Sequence, residues 1–355
     1  MTTYKLPESF EDYYGEQQGL YGKSQNYWEH YYGQNYWEQT DKQLDRLVKG
    51  ECDDRELAAW FGRGKDLDVL VHDEWYRVRL AVATNGRKKD LDVLVHDENA
   101  HVRQIVAKFG RKKDLDILVN DPDVNVRYEV ARSGRAKDLE ILVHDDEWIV
   151  RNAVAFNCRN KDLDILVHDE DKQVRETVAQ FGRDKDLEIL IHDPECFVRA
   201  AAAENKNISD KALNFLAHDP DWMVRRAVAE QGKDETLATL VNDPDPLVRE
   251  AVADHGGSKY LDILVDDPDF NVRIAVAKRK RNKDLDILVH DHVFLVRQVV
   301  ASQGRDKDLD ILAHDECPRV RLIVAQQGHS KDLDILAYDE NPQVREVAKS
   351  KMFLT

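Results

Sequence analysis

The chain is poor in cysteine and in long apolar runs. Its four cysteines, Cys52, Cys158, Cys196 and Cys317, lie far apart and form no C-x-x-C pair. This spacing is typical of reduced thiols in a cytoplasmic protein and argues against a disulfide framework. Because no charged and then apolar leader opens the sequence, and no apolar run approaches the length of a bilayer-spanning helix, we expect neither a secretion signal nor a membrane span.

Residue patterns for catalysis are also missing. We find no nucleophile with a matching base, no glycine-rich phosphate loop and no side-chain cluster with metal-ligand spacing. The sequence therefore predicts a protein that is not an enzyme and that holds no metal or cofactor.

Acidic residues outnumber basic ones, with 69 Asp and Glu against 52 Lys and Arg and a net charge of −17. This balance favours solubility and disfavours nucleic acid as a partner.

What the sequence has instead is a repeat of 24 residues. An arginine preceded by valine recurs at this spacing, with one step of 26 residues between Arg199 and Arg225. The other members are Arg79, Arg103, Arg127, Arg151, Arg175, Arg249, Arg273, Arg297, Arg321 and Arg345. Arg55 extends the series by one step, giving about thirteen units, of which the first and last are degraded. Such a period predicts an all-α solenoid, in which each unit buries its apolar side chains against its neighbours.

Each unit contains two helical phrases. The first, from Asp121 to Gly134 in one copy, begins with an Asp suited to an N-cap and ends with a Gly suited to a left-handed C-cap. In five copies proline follows this Asp, which matches the preference for the first helical position: Pro122, Pro194, Pro220, Pro244 and Pro268. The second phrase, K-D-L-D-I-L-V, spans about two turns and predicts a short α-helix or a 3₁₀ segment.

The repeat also determines the predicted domain organisation. Residues 1–40 are rich in Tyr, Gly, Gln and Asn and contain Trp28 and Trp37. They predict an extension or cap over the first repeat, or alternatively an arm that binds a partner. Residues 41–355 are predicted to form one continuous solenoid. A two-residue insertion near residues 204–212 predicts a local change of superhelical pitch and not a domain boundary.

The phrase V-R-x-x-V-A, followed after a loop by L-x-x-L-V-x-D, resembles the leucine-rich repeat variant family over about residues 54–348. The resemblance implies a right-handed superhelix of alternating α and 3₁₀ helices, similar in style to HEAT and armadillo arrays. The founding type of that family has an N-terminal cysteine cluster that holds an iron–sulfur centre. This chain has only Cys52 in that region, so the resemblance implies no cofactor. HEAT-like relatives include partner-binding scaffolds, phycobilin lyase subunits and alkyl-base DNA glycosylases.

Two repeated polar features receive structural interpretations. His-Asp pairs recur between units, as at His96-Asp97 and His144-Asp145. Equivalent positions of stacked helices are roughly 8–10 Å apart, too far to converge on one metal ion, so we expect capping and hydrogen bonding instead. The repeated arginine lies six residues after the capping Asp, as Arg127 follows Asp121. It predicts a ladder of Arg–Asp pairs within and between units, with phosphate binding as the alternative.

The positions that vary between units are the most informative for function. Counted from the repeated arginine, positions −3, +1 and +5 share one face of the first helix and hold many aromatic and some basic side chains. We call these positions the variable row. Its candidate partner-binding residues are Tyr76, Tyr128, Arg132, Trp148, Phe156, Trp222, Arg226, Phe270, Ile274 and Phe294. Exposed aromatic residues and arginines are typical interface anchors; the alternative is that these side chains pack between neighbouring helices.

Three functional hypotheses follow. The leading one is a non-enzymatic scaffold that binds another protein through the variable row. The second is a nucleic-acid-binding protein, possibly one that excises DNA bases, which uses the basic residues after the glycines: Arg87, Arg111, Arg135, Arg159 and Arg183. The other interpretation of these arginines is favourable charge at helix C-termini. The third, which rests on the resemblance alone, is an accessory or lyase-type subunit that acts on a cofactor-bearing protein. No membrane partner is expected.

Overall fold

The computed structural model describes residues 45–352 except residue 62, so the extension predicted at residues 1–40 lies outside the described part of the chain. The described residues form α-helices joined by short turns, with no β-strand among them. Long helices of 8–11 residues alternate with short helices of seven residues. This alternation confirms the predicted all-α repeat solenoid.

The helices are numbered in chain order, with odd numbers for long helices and even numbers for short ones. The long helices are α1 (Cys52–Phe61), α3 (Tyr76–Thr84), α5 (Ala100–Lys108), α7 (Val124–Arg132), α9 (Trp148–Ala155), α11 (Lys172–Phe181), α13 (Cys196–Glu204), α15 (Trp222–Glu230), α17 (Pro246–His255), α19 (Phe270–Lys278), α21 (Phe294–Ser302), α23 (Pro318–Gln327) and α25 (Pro342–Met352). The short helices are α2 (Gly64–Leu70), α4 (Lys88–Leu94), α6 (Lys112–Leu118), α8 (Ala136–Leu142), α10 (Asn160–Leu166), α12 (Asp184–Leu190), α14 (Asp210–Leu216), α16 (Asp234–Leu240), α18 (Ser258–Leu264), α20 (Asn282–Leu288), α22 (Asp306–Leu312) and α24 (Ser330–Leu336).

The described part of the chain divides into two compact units, one ending at Asp138 and the other beginning at Leu139, with the division inside α8. In the first unit, each of the long helices α1, α3 and α5 packs against the next long helix. In the second unit the same succession runs from α9 to α25. Within each unit, the short helices pack against the long helices that precede and follow them. Every repeat is therefore stabilised mainly by its neighbours, as expected for helices too short to be stable alone.

The core consists of identical columns of small and medium-sized apolar side chains. In one repeat the long helix buries Val126, Val130 and Ala131 completely, and the preceding short helix leaves Leu115 and Leu118 only 1% exposed. Full burial of a Val or Leu side chain contributes roughly 1.5–3 kcal/mol, so these columns supply the main stabilisation of each repeat. In the described part of the chain, no helix is both long and apolar enough to cross a bilayer.

The long helices begin later than the sequence predicted. Helix α7 starts at Val124, and its N-cap is Asp123, whose carboxylate accepts a hydrogen bond from the Asn125 amide at 2.8 Å. The predicted cap, Asp121, instead accepts from the Asp123 amide at 2.9 Å and thereby holds the turn before the helix. The proline that follows that Asp, as at Pro122, is correspondingly outside the helix, and its assignment to the first helical position was wrong.

Most of the predicted glycine C-caps are confirmed. Gly134, for example, follows α7 with φ of 71°, in the left-handed region that glycine adopts without a steric cost. Gly182 and Gly256 are exceptions, because both have extended backbones with φ of −74° and −78°. In two repeats a non-glycine residue has the positive φ instead, namely Cys158 at 54° and Lys280 at 60°.

The second phrase forms a short α-helix in every described repeat, which decides between the two predicted alternatives.

In the repeat with the two-residue insertion, Asn205 follows α13 and is only 4% exposed. Its side-chain amide donates to the carbonyl oxygens of Ala179, Gln180 and Gly182 at 2.7–3.2 Å. The longer loop is thus held against the preceding repeat by three hydrogen bonds.

Candidate functional site

The repeated arginine forms a ladder that joins consecutive repeats, as predicted. Arg103 is representative: its Nε and Nη2 donate to the two carboxylate oxygens of Asp121 at 2.7 and 2.8 Å. Its Nη1 donates to the carbonyl oxygens of Asp97 and Glu98 at 2.8 and 3.1 Å, which fixes the turn before its own helix. We call this set the first ladder. In the first unit it also contains the pairs Arg55–Asp73 and Arg79–Asp97. In the second unit it contains Arg151–Asp169, Arg175–Asp193, Arg199–Asp219, Arg225–Asp243, Arg249–Asp267, Arg273–Asp291, Arg297–Asp315 and Arg321–Asp339.

The first ladder has a structural role and leaves little room for phosphate binding. The Arg273 side chain is 6% exposed and its partner Asp291 is 4% exposed. The bond to Asp291 raises the pKa of Arg273, and the guanidinium in turn keeps the pKa of Asp291 below its usual value despite burial. Both groups remain charged, and each satisfies the other. Such buried pairs fix the register of neighbouring elements more than they add net stability.

The arginines of the alternative basic row form a second ladder. They are N-cap residues of the short helices, as Arg87 is for α4. The interpretation that placed them at the C-termini of helices was therefore wrong. Arg87 Nε donates to Asp90 at 2.6 Å, and its Nη2 donates to Asp68 of the preceding repeat at 2.8 Å. Because Asp90 occupies the third position of the short helix, its carboxylate compensates the cationic N-cap near the positive end of the helix. We call this set the second ladder.

All five predicted arginines of the basic row participate in the second ladder. Each donates to the Asp three residues later and, at four of the five positions, to an Asp of the preceding repeat as well. The near partners of Arg87, Arg111, Arg135, Arg159 and Arg183 are Asp90, Asp114, Asp138, Asp162 and Asp186. The partners in the preceding repeat are Asp68, Asp92, Asp116 and, for Arg183, Asp164.

The lysines two residues after these arginines are paired with carboxylates too. Lys113 approaches Asp92 at 2.5 Å, and Lys137 approaches Asp116 at the same distance. Each of these aspartates therefore receives both an arginine and a lysine, and the hydrogen bond from Lys113 helps lower the pKa of Asp92. The positive charge of the row is balanced within the protein, which leaves no continuous basic strip in this part of either unit.

The His-Asp pairs are divided between two structural roles. The Asp belongs to the first ladder, as Asp97 does with Arg79 at 2.6 Å. The His side chain at the preceding position, such as His96, is exposed. Among the described residues, no group of three or more histidine, cysteine or carboxylate side chains has the geometry of a metal site.

The variable row lies on the accessible face of the long helices. None of its ten candidate residues is buried: Tyr76, Arg132, Phe156 and Arg226 are exposed, and Tyr128, Trp148, Trp222, Phe270, Ile274 and Phe294 are partly exposed. Phe156 has the largest exposed fraction among the aromatic members, 57%. Five aromatic members are the first residue of a long helix: Tyr76, Trp148, Trp222, Phe270 and Phe294.

Side chains of the variable row contact other exposed groups. The Phe156 ring lies 5.3 Å from the Phe181 ring, and the Arg132 guanidinium lies 5.9 Å from the Tyr128 ring. Arg226 pairs with Glu230 at 3.0 Å on the same helix. These contacts are at the surface, and Tyr76 and Phe156 remain 40% and 57% exposed.

A second exposed apolar column escaped the sequence interpretation. One apolar residue in most short helices is exposed, as Ile117 is at 45% and Ile287 at 48%. The other members are Val69, Val93, Ile141, Ile165, Ile189, Phe215, Ile263, Ile311 and Ile335. These residues lie fourteen positions after the repeated arginine, or sixteen in the case of Phe215. An apolar residue between two buried leucines cannot be distinguished from a core residue by the sequence pattern alone.

Comparisons with known proteins give matches among solved structures alone. No protein-family model matches the chain, and curated proteins give no match. Among solved structures, the chain is similar to a leucine-rich repeat variant with 29% identity, covering 59% of this chain and 88% of that one with a TM-score of 0.49. It is also similar to the Escherichia coli protein YibA (15% identity, 80% and 98% covered, TM-score 0.28) and to an engineered protein (15% identity, 88% and 98% covered, TM-score 0.25). The predicted resemblance to leucine-rich repeat variants is confirmed by the first of these.

Proposed function

We propose that this protein is a non-enzymatic scaffold that binds another protein through the variable row. The observation that carries the proposal is the exposure of that row. The core columns and both ladders repeat the same residues, whereas the variable row differs in every repeat and presents aromatic side chains to solvent. Exposed Trp, Tyr, Phe and Arg side chains are the residue types that dominate binding energy at protein interfaces.

The position of the aromatic residues supports binding more than folding. Trp148, Trp222 and Phe270 each occupy the first position of their helix and are partly exposed. The core of the same helices is completed by fully buried residues such as Val150 and Val224. The rings of Trp148, Trp222 and Phe270 are partly exposed, so a partner can contact part of their apolar area.

The test replaces Trp148, Trp222 and Phe270 together with Glu. Acidic residues are favourable in the first turn of a helix, so the fold should persist and can be confirmed by circular dichroism. Affinity capture from the native host with the unmodified protein identifies partners by mass spectrometry. We expect those partners to be lost with the triple variant.

The matched control replaces Ile165, Phe215 and Ile287 with Glu. These residues are also exposed, at 42%, 50% and 48%, but they lie on the short helices. The control adds the same charge and also replaces three apolar side chains. Capture that survives the first triple variant, or that is lost equally with both, would contradict a role for the variable row.

The nucleic-acid alternative has less support. It relied on a basic strip, and the five arginines of that strip are paired with carboxylates. Binding through phosphate contacts would require these pairs to open, and the net charge would oppose it. The accessory or lyase-type alternative rests on resemblance alone, since no described cavity presents a catalytic set of side chains.

A further inference from the structure

Three consecutive long helices, α13, α15 and α17, share a pattern that the other described long helices lack. Each has an exposed or partly exposed apolar residue in its first turn and an acidic residue seven positions later, near its C-terminus. Because residues seven apart lie on the same face of a helix, the apolar and acidic side chains form two parallel rows. The pairs are Phe197 with Glu204, Met223 with Glu230, and Leu247 with Asp254.

The apolar row is accessible and continuous with the variable row. Phe197 is 49% exposed and Leu247 is 39% exposed. Trp222 is adjacent to Met223 and borders an open depression of about 340 Å³, which is also lined by Pro220 and Pro244. The depression lies at the N-terminal ends of α15 and α17, where Asp221, Arg225 and Asp245 also line it.

The acidic row is electrostatically unfavourable in the isolated protein. Carboxylates at helix C-termini face the negative end of the helix dipole. Burial raises the pKa of Glu204, and repulsion from Glu230 and Glu176 raises it further. One cation on this face, Arg226, is already paired with Glu230 at 3.0 Å, and the Arg279 guanidinium donates to the backbone carbonyl oxygen of Asp254. A cationic partner would relieve this repulsion.

The same three repeats also lack the second ladder. Where the other described repeats have Arg and Asp, or His329 and Asp332 in the last one, these have Ser209 with Ala212, Lys233 with Thr236, and Gly257 with Tyr260. Both members of the pair are absent together in each case. Two independent departures from the repeat thus coincide in one segment, and such local departures are expected where function has replaced structural consistency.

We propose that α13, α15 and α17 bind a basic amphipathic helix of another protein. This inference rests on the proposed scaffold function and specifies the chemistry of its partner. Apolar side chains of that helix contact Phe197, Met223 and Leu247, and its Lys or Arg side chains pair with Glu204, Glu230 and Asp254.

The dimensions of the two rows fit a helix. Residues seven apart in a helix are separated by about 10 Å, which is close to the 10–12 Å diameter of a helix with its side chains. Neighbouring long helices are expected to be about 8–10 Å apart, and seven residues of the bound helix also span about 10 Å. One apolar residue in every seven would therefore meet each long helix in turn, and about three heptads would cover the site.

The test measures binding of a labelled synthetic peptide of about 21 residues to the full-length protein by fluorescence anisotropy, with circular dichroism to follow helix formation. The peptide has Leu in a heptad pattern and Lys along one flank. We expect saturable binding that induces helix. The variant Glu204→Gln, Glu230→Gln and Asp254→Asn should weaken binding about tenfold, and Phe197→Ala with Leu247→Ala should weaken it by a similar factor.

A charge-matched control makes the test specific. The variant Glu188→Gln, Glu235→Gln and Asp334→Asn removes the same net charge from exposed positions outside the site and should leave binding within about twofold, since screened surface charges at this distance contribute little. Equal weakening by both charge variants would overturn the site. Equally tight binding of a peptide broken by proline would overturn the helical partner.

A second peptide, with Glu in place of Lys, separates this inference from the proposed function. If that peptide binds at least as tightly, and Phe197→Ala with Leu247→Ala still weakens it, the scaffold function stands and the basic partner is wrong. If no substitution on this face weakens the binding of either peptide, the basic partner is also wrong. Loss of the proposed function itself would be seen in the capture experiment with Trp148, Trp222 and Phe270.

Discussion

At the scale of single residues, the last position of the second ladder is incomplete. His329 replaces the arginine there, and its Nδ1 lies 3.3 Å from Asp306. Asp332 is 1% exposed, and its Oδ2 has no hydrogen-bond partner among the described residues; the same holds for Oδ1 of Asp310. Burial and the nearby Asp310 carboxylate raise the pKa of Asp332. This repeat retains the buried acid of the second ladder without its guanidinium.

We predict that His329→Arg stabilises the protein by about 1–3 kcal/mol at neutral pH, the usual cost of leaving a buried polar group unsatisfied. A carboxyl group whose pKa is raised by folding favours the folded state at pH values below its unfolded pKa, and this contribution is lost as pH rises through the folded pKa. Acidification therefore removes the cost in the natural protein. The advantage of the variant, measured as the shift in urea midpoint, should be largest at neutral pH and decrease as the pH is lowered.

The reverse substitution provides the control. Arg305 donates to Asp308 and Asp286 in the repeat before, so Arg305→His should lower stability by a similar amount and with the same pH dependence. An unchanged urea midpoint for His329→Arg at neutral pH would show that Asp332 is satisfied in another way.

At the scale of helices and turns, much of the fold follows from the sequence, and the remainder depends on contacts between repeats. The existence, type and order of the helices follow from the period of apolar residues. The start of α7 does not, because Asp121 and Asp123 can each cap a helix and only the packed turn shows which one does. The pairing of Arg87 with Asp68 could not be predicted from the sequence either, since Asp68 lies nineteen residues earlier in the chain. The variable row could be located, but its exposure depends on how the long helices stack.

The first ladder should show strong energetic coupling between elements. Arg249 of α17 donates to Asp267, which is 6% exposed and precedes α19. We predict that Arg249→Met lowers the free energy of unfolding by about 3–5 kcal/mol, because it leaves a buried carboxylate without its cation. Combining it with Asp267→Asn should cost less than the sum of the two single substitutions. A double-mutant cycle in urea measures the coupling, expected at about 0.5–3 kcal/mol.

An exposed pair gives the matched comparison for this cycle. Arg226 and Glu230 are also joined by a hydrogen bond, at 3.0 Å, but both side chains are substantially accessible. Their coupling should be at most about 0.5 kcal/mol, as for other helix-surface pairs. Similar couplings for the two pairs would mean that burial of the first ladder has no energetic consequence.

At the scale of the whole molecule, stability should vary along the chain because repeats are stabilised by their neighbours. We predict that backbone amides of α14, α16 and α18, which lack the second ladder, exchange with solvent faster than those of α10, α12, α20 and α22. Hydrogen exchange read by mass spectrometry should show a difference of about tenfold for each 1.4 kcal/mol of lost local stability. The variant Lys233→Arg with Thr236→Asp should slow exchange in α16. Uniform protection across these helices would contradict the prediction.

The first ladder also makes the length of the protein adjustable. Each repeat supplies an arginine to the Asp of the next repeat, and it supplies an Asp to the arginine of the repeat before. Removal or duplication of one complete 24-residue block, such as residues 243–266, would therefore join an arginine to an equivalent Asp at the usual separation of eighteen residues. The gene for such a protein can gain or lose whole repeats by unequal recombination while every buried charge remains neutralised. The surface available for partners can change in size without a new solution to the folding problem.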